Sequence, residues 1–315
     1  MKRTMAIWVG TLAVCLAAAD CVKGGSTVWT DPVEQELVLP SDNLTELAVR
    51  THNGGITYEG QPADSAANKI VATLKGGGAT MADAQAALEA IDVFVLPSGS
   101  GTTRIGWKWR QAKRDKWSGV VSFAIEGPDH LSLDGQTHNG GIKVVDVAGD
   151  VKLKTHNGGV KANSTEGTLN IETHNGGISA IHKGGKAKAV THNGAIDVHH
   201  AGGPLKVETH NGGIDVHHVG GPLKAEAHNG GITLDFEDSL APEAQLTTHN
   251  GRIVIMLAEE VSAEVDLRTN KGSLKCSLPL SDSSVTKKSM SGVLGNGEGR
   301  LSATTYNGGI TIKTN

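Results

Sequence analysis

The chain has 315 residues and a formal net charge of −4, with acids and bases interspersed, which argues against a nucleic-acid-binding face. Aromatic residues make up 3% while glycines number 42, so the core must be thin, built from Val, Ile, Leu and Ala and cornered by glycine. The three cysteines include one inside an N-terminal apolar segment and form no CxxC pair, which excludes a disulfide framework.

Residues 1–19 read as an export signal. Lys2 and Arg3 precede an apolar run from Met5 to Ala19, and Ala17-Ala18-Ala19 offers a small-residue cleavage site. Leu16 to Cys21 also resembles a bacterial lipoprotein box, in which Cys21 would carry lipid. Asp20 departs from the small residue usual before that cysteine. Two fates follow: a lipoprotein of the periplasm or of the outer or cell membrane, or a secreted protein. Membrane contact is expected only in the first case, through the lipid anchor, because the segment is short for a spanning helix.

Residues 20–45 form a polar leader in which Pro32 and Pro40 break any long element. Alternation at Leu47, Val49, Thr51 and Asn53, followed by Gly54-Gly55 and Ile56, predicts a first rung separated from the others in sequence. A non-repeating insert follows. It should hold a strand at Ile70–Leu74, a turn at Gly76–Gly78 and a helix from Thr80 to Ile91. Further strands are expected at Asp92–Leu96, Thr103–Trp109 and Trp117–Ile125. Residues 46–130 thus combine one rung with a small α+β cap, which would shield the unpaired edge of the array. Trp107, Trp109 and Trp117 fill that cap's core or form a sugar-stacking platform.

Residues 131–315 carry a repeat. Thr137-His138-Asn139-Gly140-Gly141-Ile142 recurs with its histidine at 156, 174, 192, 210 and 228, a spacing of 18 residues, and then at 249 after 21. Degenerate copies follow at Thr269-Asn270-Lys271-Gly272 and Thr305-Tyr306-Asn307-Gly308-Gly309-Ile310. A short fixed period whose unit cannot bury its own apolar face predicts an all-β, parallel, β-helix-like solenoid of about 18–21 residues per rung. In the unit 204–221, Leu205, Val207, Thr209 and Asn211 share the inner face, and Lys206, Glu208 and His210 the outer one. An inward Asn would ladder to its counterpart one rung away and satisfy buried carbonyls. The glycines would take positive φ or tolerate a crowded bend. Thr311–Asn315 end the chain in a rung without a capping helix, which leaves an open end for self-association.

The early Thr51-to-Ile56 rung, the Ala-rich helix after it, the strand near Val120–Ile125 and the repeated T-x-N-G-x-I rungs together resemble a bacterial putative-adhesin family of β-strand-repeat proteins. The similarity covers roughly residues 44–315. It implies a parallel solenoid on the exported side of the membrane, with no established catalytic residues. The histidine after Thr is peculiar to this sequence.

That histidine faces outward and is open to two explanations. One is a duplicated surface ladder; the other is a strip of weak sites for divalent transition metals, with no further cofactor expected. A compact second set, His182, His199, His200, His217 and His218, lies near the other corner and holds the best metal candidates. Outward imidazoles at the strand spacing of about 4.8 Å would repel by roughly 0.9 kcal/mol when charged, even in water. The leading function is a non-enzymatic cell-envelope scaffold or binding protein with an envelope or extracellular partner. The alternatives are metal binding and, by fold analogy alone, polysaccharide chemistry. Catalysis is disfavoured because Asp146, Asp197, Asp215 and Asp235 form no single column and GxSxG, HExxH and P-loop motifs are absent. Ice binding is disfavoured because the repeated Thr faces inward.

Overall fold

The computed structural model of the protein describes residues 27–40, 43–62, 65, 68–99, 101–236 and 241–314. The export signal, Cys21 and its lipidation therefore lie outside the described residues. Among the latter, two 14-stranded sheets run side by side, and each rung contributes one strand to each. Leu205–Asn211 lies in one sheet, in parallel register with Ala187–Asn193 and Leu223–Asn229. Ile214–Val219 lies in the other, between Ile196–Ala201 and Ile232–Phe236. Period-two alternation turns Leu205, Val207, Ile214 and Val216 into the gap between the sheets, and an irregular step after Val216 adds Val219, all at most 7% exposed. One long apolar core runs from Leu39 to Ile312, and a smaller cluster of Ala87, Ala90 and Trp117 lies under the cap's helix. The parallel β-solenoid expected from the repeat is the fold.

Three polar contacts lock successive rungs. Thr155, Thr173, Thr191 and Thr209 are buried, and each hydroxyl donates to the carbonyl of the corner glycine one rung back, at 2.9–3.0 Å. Asn157, Asn175, Asn193 and Asn211 form the ladder, each Nδ2 donating to the Oδ1 of the previous Asn at 2.7–2.8 Å. The ladder is exposed rather than inward, however, and satisfies side-chain amides instead of buried carbonyls. The strand turns away after Thr, so the residue two positions on leaves the core. The first glycine of each corner is demanded by crowding. A Cβ on Gly194 would stand 2.1 Å from the carbonyl oxygen of Gly176, and one on Gly176 would stand 2.0 Å from that of Gly158.

The array is continuous with the early rung. Leu47 pairs with Leu133, Ile56 with Ile142, and Asn53 bridges Asn139. The insert then lays one more rung beneath it, Thr102–Trp109 against Glu46–Arg50 and Ser118–Pro128 against Ile56–Gln61, both parallel. Antiparallel strands Ile91–Pro97 and Lys69–Gly78 follow outside these. Gly76–Gly78 are strand, not the expected turn. The helix Met81–Glu89, N-capped by Thr80, packs directly on their backbone, and a Cβ on Gly76 would meet Ala84 O at 2.2 Å. The leader also contributes structure, since Val33–Val38 pairs antiparallel with Lys69–Gly78 between the two prolines. Trp117 is buried, Trp109 packs against both Trp107 and Trp117, and Trp107 Nε1 donates to Thr51 Oγ1. The three tryptophans fill the cap rather than offer a platform.

At the other end, chain order and spatial order part. Gly299–Asn307 inserts between Glu243–Asn250 and Ala263–Lys271, and Ile310–Thr314 between Ile253–Leu257 and Leu274–Cys276. The expectation of an open terminal rung is thereby corrected: those strands are paired on both sides. The outer flank of Ala263–Lys271 is covered by an antiparallel hairpin, Ser281–Val285 with Ser289–Leu294.

Candidate functional site

The sheet imposes the first feature. Strands about 4.8 Å apart carry outward rings at one register position, so the rings stack. His52, His138, His156, His174, His192, His210, His228 and His249 form one column with centroid separations of 4.7–5.0 Å and planes within 15°. Tyr306 extends it, stacked on His249 at 4.9 Å, because its rung is the inserted one. Sequence order hid that neighbour. Loss of hydration, followed by repulsion from the adjacent imidazoles, holds His156 and His210 below the usual histidine pKa.

Beside the column runs a shallow trough. One stretch of about 890 Å³ extends from Val190–His192 to Thr304–Tyr306, and another of about 540 Å³ from Gln136–His138 to Val190–His192. Val190, Thr191 and His192 line both, so the two stretches meet. Its carboxylates are paired on the surface: Glu172 with Lys154 and Lys188, Glu208 with Lys206, and Glu226 with Lys224.

The second histidine set lies on the other sheet. Asp-Val-His-His occurs at 197–200 and at 215–218, and the register pairs Asp197 with Asp215 and His199 with His217. His200 and His218 adopt φ of 56° and 53°, the left-handed geometry of a bulge that keeps a second consecutive residue outside the core. They stack on each other at 4.6 Å but stand outside the tightest donor group. That group joins His199 and His217 to Asp197, with one ligand atom from each lying within 4.8 Å of the others. Oδ1 of Asp197 is 3.0 Å from Nε2 of His199, and Nδ1 of His217 is 3.7 Å from Asp235. The sequence reading weighed both acids only as a catalytic column and not as partners of these histidines. Alternation in the doubled Asp-Val-His-His was the signal for Asp197, whereas Asp235 emerges only from the pairing of His217 with the next rung.

His182 does not join them. Its rung lacks the bulge, so the backbone shifts by one residue and sets His182 opposite Ala201, facing inward and fully buried. Nε2 lies 2.9 Å from Gly185 O and must donate to it, and Nδ1 shares a hydrogen bond with Thr165 Oγ1 at 3.0 Å. Both nitrogens are thus occupied. The expectation that His182 is a metal candidate is corrected.

Stacked rungs with two laddered faces define a parallel β-solenoid of the repeat class. Residues 195–313 match the Toastrack DUF4097 family, a span that includes the Asp-Val-His-His pair, and this bears out the resemblance to the putative-adhesin family of β-repeat proteins. A putative adhesin from Parabacteroides merdae ATCC 43184 is similar at 8% identity and TM-score 0.43, over 90% of this chain and 96% of that one. A putative adhesin from Bacteroides fragilis NCTC 9343 is similar at 10% identity and TM-score 0.38, over 90% and 97%. A putative lipid binding protein from Parabacteroides distasonis ATCC 8503 is similar at 11% identity and TM-score 0.42, over 90% and 96%. No curated protein matches this chain.

Proposed function

We propose that the protein is an exported, non-catalytic solenoid that binds an extended polymer of the cell surface along the trough beside the histidine column. The observation that carries this reading is the continuity of that surface, the same side chains repeated from His138 to Tyr306 at one strand spacing. A repeated surface suits a repeated ligand, since each added rung adds one more weak contact without new geometry. The pairing of the trough's carboxylates with lysines supports binding over catalysis, because a general acid needs a carboxyl poised rather than neutralised by a neighbour. Export rests on the reading of residues 1–19, and the scaffold role on the exposed ladders.

The test is length dependence. Cell-surface polysaccharide fragments of increasing length are titrated against the full chain. Affinity should rise with length until the fragment spans the column. Affinity independent of length, or no binding by any fragment, would overturn the proposal.

A further inference from the structure

The structure assigns a divalent transition-metal site to Asp197, His199 and His217, on the sheet that does not carry the histidine column. It is independent of the polymer-binding reading. The site comes from register. Two parallel strands, Ile196–Ala201 and Ile214–Val219, carry the same Asp-Val-His-His segment, and their pairing sets His199 directly beside His217 with rings 4.8 Å apart. On its own strand, His199 lies two residues from Asp197 and therefore on the same face. Two imidazoles and one carboxylate thus approach from one side, leaving solvent to fill the remaining positions.

The residue chemistry selects the ion. Two neutral imidazoles with one carboxylate suit a first-row divalent transition metal rather than calcium or magnesium, which prefer oxygen throughout. Metal–ligand bonds of about 2.0–2.1 Å place donors about 3.3 Å apart around a tetrahedral ion. The three donor atoms already lie within 4.8 Å of one another, and side-chain exposures of 46% for His199 and 30% for His217 leave both rings free to tilt inward.

Two further observations point the same way. Oδ1 of Asp197 is enclosed and accepts no hydrogen bond, although His199 Nε2 stands 3.0 Å away. An imidazole nitrogen and a carboxylate oxygen at that separation stand as far apart as two donors on one bound ion. On the far side, Asp235, with only 15% of its side chain exposed, faces Nδ1 of His217 at 3.7 Å. A carboxylate that closes onto the ring nitrogen as the ring tilts toward an ion orients it and strengthens the other nitrogen as a ligand, which assigns Asp235 a positioning role.

The experiment is a calorimetric titration of the full chain with Zn2+ and, separately, with Ni2+, reading the tightest equivalent. Asp197→Asn and His217→Ala should each weaken it at least ten-fold, and Asp235→Asn by roughly ten-fold. A His200→Ala/His218→Ala variant and a column variant, His174→Ser/His192→Ser, should bind that equivalent as the parent does. Circular dichroism establishes that each variant is folded, and the near-isosteric Asp197→Asn keeps the test open if His217→Ala fails to fold. No saturable binding by the parent would overturn the assignment. So would unchanged binding by folded Asp197→Asn, or loss that follows the column or the His200/His218 pair instead.

Discussion

The hydroxyl of Thr209 donates to the carbonyl oxygen of Gly194, 2.9 Å away on the preceding rung, at the corner where a side chain on Gly212 would collide with that same oxygen at 2.0 Å. One carbonyl therefore sets two requirements of the repeat, a donor from Thr and the absence of a Cβ on Gly.

The threonine requirement is testable in both directions. Thr209→Val keeps the volume and strands the carbonyl, and should lower stability by about 1–2 kcal/mol in urea titrations. The rung at Ala227 lacks the hydroxyl, so Ala227→Thr, reaching for Gly212 O, should raise stability by about 1 kcal/mol. A loss at Ala227→Thr would show that the inner corner has no room for the methyl group.

The two corner glycines should differ sharply. Gly194→Ala places a methyl 2.1 Å from backbone and should cost about 3 kcal/mol. At the second corner position a Cβ on Gly213 meets only Gly231 O at 3.7 Å, and the equivalent residue one rung earlier is already Ala195. Gly213→Ala should therefore be neutral or stabilising by about 0.5 kcal/mol. Equal effects at the two positions would remove crowding as the explanation.

The period, the parallel rungs, the inward Thr and the outward His were legible because spacing and alternation are carried by the residues themselves. What escaped depends on pairing across large separations. Tyr306 beside His249 requires the final rung to insert, and nothing local to 299–314 reports which strands it joins. Gly76–Gly78 resembled a turn because the helix that needs their bare backbone is a tertiary contact. The mistake about His182 was one of register. A single missing bulge residue reverses which side of the sheet a side chain faces, and the 18-residue spacing from His174 to His192 runs unchanged through that rung, so only the strand pairing reports it. The outward position of Asn arises from the bend after Thr, which alternation cannot foresee.

The column should make stability depend on pH. His156 and His210 have pKa values lowered from the ordinary 6.5 by lost hydration and then by neighbouring imidazoles. In the acid range the unfolded chain binds more protons than the folded one, so stability is fully present above pH of about 6.5 and declines as pH falls below it. Tm measured from pH 7.5 to 5 should drop, and His156→Ser/His174→Ser/His192→Ser should shallow that slope. A flat or rising profile in the parent would contradict the stacked column as a source of the effect.

The inserted final rung predicts a specific weakness. Ile312 is fully buried between Ile255 and Cys276, so Ile312→Ala should cost about 3 kcal/mol, as in any core, even though it lies three residues from the end of the chain. Hydrogen exchange should also protect Ile310 and Ile312 amides as well as those of Ile253 and Ile255. Fraying at Ile310–Thr314 would contradict insertion.

The central claim is that Thr, Asn and Gly of the repeat build the frame while its histidines serve binding. The most direct measurement replaces His138, His156, His174, His192, His210 and His228 by Ser in the full chain and follows both folding and polymer binding at pH 7.5. The variant should retain its β-sheet circular dichroism, melt cooperatively and lose length-dependent binding. Failure to fold would make the histidines part of the frame, and binding equal to the parent's would remove the column from the function.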